Sequence, residues 1–164
     1  MSWYYVNVFV HVLAAFLWLG GIFFLAVVGA PVLRQVESPA LRAELFRKLG
    51  RQFRWVGWIC ILVLLVTGVA NLHFRGLLTA RVWTTTSYWT TPYGRTLAAK
   101  IILVVLILAV QTVHDFVFGP AASRAAPGSP EALRLRKGAA WLARINAFLA
   151  LALVWVAVHL ARGG

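Results

Sequence analysis

Residues 9–21 read FVHVLAAFLWLGG. The stretch is apolar almost throughout, yet it carries His11. The apolar run around it extends from about Trp3 to Leu33. That is more than the roughly 20 residues a helix needs to cross a bilayer. Three further runs of the same kind follow. Hydrophobic residues make up 62% of the chain and its mean hydropathy is +0.82. A soluble domain reaches only about half apolar residues with Gly counted. The fold class is therefore all-α integral membrane protein.

Four spans are predicted at about 3–33, 55–74, 96–118 and 141–160. The whole chain, 1–164, reads as a single four-transmembrane-helix bundle. No Lys or Arg precedes the first apolar stretch and no small-residue cleavage site ends it cleanly. It reads as a retained helix and not a secretory signal.

The formal charge of +12 arises from 16 basic and four acidic residues. The basic residues sit between apolar spans, not on a soluble face. They set topology, and a nucleic-acid partner is excluded. The first connection carries Arg34, Arg42, Arg47, Lys48, Arg51 and Arg54. The third carries Arg124, Arg134, Arg136 and Lys137. The second has only Arg75, Arg81 and Arg95 amid Thr, Trp and Tyr. The positive-inside rule puts loops 34–54 and 119–140 in the cytoplasm of a bacterial-type inner membrane. Both termini and the second loop are then on the outer side.

The two basic connections resemble each other. ESPALRAELFRKLGRQFRW and GSPEALRLRKGAAWLARIN both open on Ser-Pro. Ser38 and Ser129 are predicted N-caps, with Pro39 and Pro130 at the first helical position. Leu41, Leu45, Leu49 and Phe53 are expected on one face of an interfacial helix. The pattern fits a duplicated two-helix hairpin, and two generic hairpins fit it as well.

With direction assigned, His11 lies roughly 10 Å in from the outer end of the first helix. His73 ends the second helix and His159 the fourth, both outside. Lys100 is about one turn into the third. Ionisable groups inside a membrane are costly and usually face a site. Imidazoles aimed inward from several helices can ligate a metal or a haem. Ala14, Ala15, Gly20 and Gly21 thin the first helix beside a flat ligand. Asn7 is expected to orient the second nitrogen of His11. Arg75 and Arg95 are placed to pair with propionates. Each residue also has a plainer reading. His73 and His159 suit the headgroup zone, Lys100 can snorkel, and Thr67, Gly68 and Asn71 suit close helix packing. His114 beside Asp115 reads as a helix-end pair. Lys100, Gln111 and His114 share one stripe, either a proton track or a helix seam.

The expected cofactor is haem b, with His11 as first axial ligand and His159 or His73 opposite. Copper on the same histidines is the alternative. It is weakened by a lack of Met beyond Met1 and by the single Cys60, since Cu(I) favours Met and Cys. No CxxCH motif exists for covalent haem.

HVLAAFLWLGGIFFLAVVGAPVL, residues 11–33, resembles the first helix of the CopD-like (copper resistance protein D) membrane superfamily. The shared pattern is a His, an aromatic-Leu-Gly-Gly turn and a Pro-Val-Leu exit. YGRTLAAKIILVVLIL, residues 93–108, resembles its Tyr-Gly-x-x-Leu-x-x-Lys motif. The superfamily is similar in turn to the HemJ-type protoporphyrinogen oxidase, a four-helix membrane protein that binds haem b. That resemblance implies functional roles for His11 and Lys100, the latter catalytic, and a match for His114 at the end of the third helix. The chain departs from that type at the first-helix exit, APVLRQV in place of a Pro-Arg-Leu-Phe-Val-Tyr-His-like run.

Three functions follow as expectations. The first is a haem b protein in electron transfer or oxidation at the outer face, linked to quinone or a porphyrin. The second is a copper transport or resistance protein. The third is a cofactor-free structural subunit. All three contact the lipid bilayer and leave a second copy or a redox partner open.

Overall fold

The order of elements follows the prolines. The chain forms α1 (Trp3–Phe24), a π-helical stretch (Leu25–Gly29), α2 (Ala30–Arg34) and α3 (Pro39–Phe74). Short helices α4 (Ala80–Thr84) and α5 (Thr86–Trp89) come next. Then follow α6 (Pro92–Thr112), a second π-helical stretch (Val113–Phe118), α7 (Gly119–Arg124) and α8 (Pro130–Ala161). The structure, a computed structural model, describes residues 2–126 and 129–164. No strand occurs among the described residues.

Three long helices begin at a capped proline. Ser38 accepts from the N–H of Leu41 at 3.3 Å, Thr91 from Gly94 at 3.0 Å and Ser129 from Ala132 at 3.1 Å. Pro39, Pro92 and Pro130 follow, where a missing N–H costs nothing. Each π stretch sits just before another proline, Pro31 or Pro120. A proline ring inside a helix crowds the carbonyl four residues back. The wider π turn relieves this: the N–H of Ala30 reaches the Leu25 carbonyl, and that of Gly119 reaches His114.

Four stretches are long and apolar enough to cross a membrane: Trp3–Arg34, Pro39–Phe74, Pro92–Ala122 and Pro130–Ala161. The predicted class stands, but the helices run further than predicted. The basic segment before Trp55 is no separate interfacial helix. It is the first half of α3, which at 36 residues extends about 54 Å, beyond a hydrocarbon core of about 30 Å. No proline interrupts it, and while Leu41 stays exposed the later part of its apolar stripe turns inward: Leu49 lies against Gly29 and the Phe53 ring covers Gly21.

The chain divides into two compact units, the first ending at Val82 and the second starting at Trp83. In the first, α1 runs antiparallel to α3. Trp18, 4% exposed, lies over Gly57 while Phe53 lies over Gly21. Rings from each helix thus seat on small residues of the other, as close packing in lipid requires. Outward faces carry Phe9, Phe16, Ile59 and Val66, all exposed.

In the second unit, α6 pairs with α8, and the Phe118 ring lies over Gly138. Ahead of α6, Trp83, Tyr88 and Trp89 cluster, with rings 5.3 Å apart in each adjoining pair. Burial, with Tyr93 adding to it, pushes the Tyr88 phenol above its ordinary range. Gly94 explains the Tyr-Gly step there: a Cβ on it would strike the Tyr88 carbonyl.

Candidate metal-ligand site in the first hairpin

Asn7 and His11 lie one turn apart on α1, and Thr67 and Asn71 one turn apart on α3. The antiparallel register sets 7 against 71 and 11 against 67. Asn7 Nδ2 donates to the Thr67 carbonyl at 3.0 Å and to Asn71 Oδ1 at 3.0 Å. Thr67, 8% exposed, links helix and ring. Its Oγ1 lies 2.6 Å from the Val63 carbonyl and 2.7 Å from His11 Nδ1.

Those two distances fix the proton positions. A carbonyl has no proton to give, so the hydroxyl proton points at Val63. Toward His11 the Thr67 oxygen is an acceptor, and Nδ1 must carry the proton. The neutral form of His11 is therefore the Nδ1–H tautomer, which carries its lone pair on Nε2. A metal-ligating histidine is usually fixed in this way, through its other nitrogen. The ring rests against Gly68, where an added Cβ would stand 3.6 Å from His11 Cε1.

The Asn7 amide nitrogen is directed at Asn71 and the Thr67 carbonyl, and the Thr67 hydroxyl stands against His11 Nδ1. The other expected site residues lie along several elements. His73 is exposed at the end of α3, edge-on to Phe74 with centroids 6.0 Å apart. His159 is exposed near the end of α8, edge-on to Trp155 at 5.6 Å. Arg75 caps α3 and its Nη2 lies 3.4 Å from the Tyr4 hydroxyl. Arg95 is exposed in the first turn of α6. Lys100 is half-buried, two turns beyond Pro92. The room expected beside Gly21 is taken by Phe53. Among the described residues, no three of His, Cys, Asp and Glu converge as a ready metal cage.

Copper resistance protein D is the family that matches, over residues 47–160, well over half of the chain. The chain belongs to the copper resistance protein D family. As a member with four spanning helices, it is a multi-pass inner-membrane protein in contact with the lipid bilayer. The copper resistance protein D match takes in Thr67, Asn71, Lys100, Asp115 and Asn146, and begins after His11. A relative, an uncharacterised protein of Aquifex aeolicus (strain VF5), is 27% identical over 157 residues. That match covers 94% of this chain and 93% of the relative, and so reaches α1. No solved structure matches significantly. Family membership connects the chain with copper resistance and transport, not with haem or with the HemJ-type oxidase.

Proposed function

We propose that this chain handles copper in the inner membrane, as a transport or resistance protein, with His11 as a copper ligand. The observation that carries the reading is the bond from His11 Nδ1 to Thr67. It leaves the Nε2 lone pair as the metal-binding one, in a family tied to copper. A single positioned imidazole suits an ion that must bind and then leave, since conduction demands weak sites. The topology we propose has both termini outside, which puts His11 toward the outer face. The basic loops support it.

Copper uptake by the full chain in proteoliposomes tests this. His11→Ala should remove both uptake and copper binding in equilibrium dialysis. Wild-type uptake and binding in that variant would overturn the assignment of His11. A b-type haem would use the same histidine, but the place for a flat ring beside Gly21 is filled by Phe53. A Soret band that sharpens on dithionite reduction in haem-replete preparations would reverse that order of preference.

A further inference from the structure

The second hairpin holds a separate polar cluster. Asp115 is 4% exposed, Asn146 4% and Gln111 8%. Asn146 Nδ2 donates to Gln111 Oε1 at 2.6 Å, and Gln111 Nε2 donates to Asp115 Oδ2 at 2.6 Å. His114 Nδ1 stands 2.8 Å from Asp115 Oδ1. His114 and Asp115 lie in the π-helical stretch, and such stretches often mark functional sites. The π turn keeps 111 and 115 on one face while 114 turns outward: the His114 side chain is 32% exposed, that of Asp115 6%. At the other end of the chain of amides, Asn146 Oδ1 is buried without a hydrogen-bond partner.

We infer that Asp115 and His114 form a membrane-buried proton-binding site, entered through His114. A buried carboxylate in a spanning helix is costly and is rarely kept without a task. The step balances simply. His114 takes a proton at Nε2 and becomes imidazolium. Its Nδ1–H bond then breaks as an O–H bond forms on Asp115 Oδ1. The imidazolium and carboxylate become a neutral imidazole and a carboxylic acid.

The amide chain reads this state. An ionised Asp115 accepts from Gln111, which accepts from Asn146, the direction seen. Once its carboxyl turns to bring the new O–H from the His114 side to the Gln111 side, a protonated Asp115 donates to Gln111 Oε1; both amides flip, and the unpartnered Asn146 oxygen is the acceptor that the reversed order requires. Charged groups on the packed elements are Arg124 on α7, Glu131, Arg134, Arg136, Lys137 and Arg144 on α8, and Arg95 and Lys100 on α6. All but Lys100 are exposed. Arg144 is turned over the Trp141 ring, 5.5 Å from its centroid. Lys100 lies about 22 Å away along α6.

Infrared titration of the full chain in lipid, without copper, tests the site. Of the other three acids, Glu37 and Glu131 are exposed and Glu44 is half-exposed in a surface pair with Lys48, so all three absorb as solvated carboxyls. A protonated-carboxyl band from an apolar environment should appear and vanish with pH and be absent in Asp115→Asn. In Gln111→Leu, which keeps the carboxyl, that band should shift in frequency. The inference is overturned if wild type and Asp115→Asn superimpose at every pH, or if the band never changes with pH. Because no copper is present, either result is independent of the role of His11.

Discussion

The Thr67 hydroxyl stands 2.7 Å from His11 Nδ1. A threonine in a helix commonly returns its hydroxyl proton to a carbonyl one turn back, and here that habit turns its oxygen into an acceptor for imidazole. Thr67→Val keeps the shape and removes the acceptor. Loss of such an orienting partner typically costs 10–100-fold in metal affinity, so copper binding should weaken by about that factor, with Thr67→Ser restoring it. Equal affinities for wild type and Thr67→Val in dialysis would show that tautomer control does not matter. Gly68 makes a finer test. An added methyl meets His11 Cε1 at ordinary contact distance, so Gly68→Ala should bind copper normally, whereas Gly68→Leu should push the ring off Thr67 and lose binding. Much of this was readable from sequence only in pieces. His11 stood out because an imidazole in an apolar run is conspicuous. Thr67 and Asn146 did not, because each is an ordinary helix-packing residue until a register names its partner. An antiparallel register drawn between the predicted spans would have found Thr67 opposite His11.

At the scale of the element, punctuation was legible and bending was not. Ser38 and Ser129 announce their caps because serine before proline has few other uses. Each replaced by Ala should cost about 1 kcal/mol, read from thermal or denaturant unfolding in bicelles. The π stretches leave no local residue signature beyond the prolines that follow them, and the charge density of residues 42–54 masks the continuity of α3 through them. Gly94 belongs to this scale. Its Cβ position coincides with backbone, not with a flexible side chain, so Gly94→Ala must displace the Tyr88 turn against α6. An overpacking cost of about 1–3 kcal/mol follows, along with altered fluorescence from Trp83 and Trp89. Unchanged stability would mean that the turn ahead of α6 is free to shift.

At the scale of the whole molecule, composition alone was enough for the class. A 62% apolar chain with four long runs has no soluble solution, because unpaired backbone in lipid costs several kcal/mol per group and helices leave none. The two hairpins then repeat one plan: a π stretch before a proline, a short helix, a Ser-Pro cap and a long helix. A duplication would produce that plan, and so the polar pairs of the two hairpins, His11–Thr67 and Gln111–Asn146, need not share a task. What composition leaves to experiment is direction. The basic residues of the first and third connections argue that these face the cytoplasm. In a Cys60→Ser background, Ser87→Cys in the second loop should react with an impermeant maleimide added to spheroplasts. Arg42→Cys in the first connection should react only after lysis. The reverse pattern would invert the topology. It would also move His11 to the inner face, so that copper would meet it after crossing and not before.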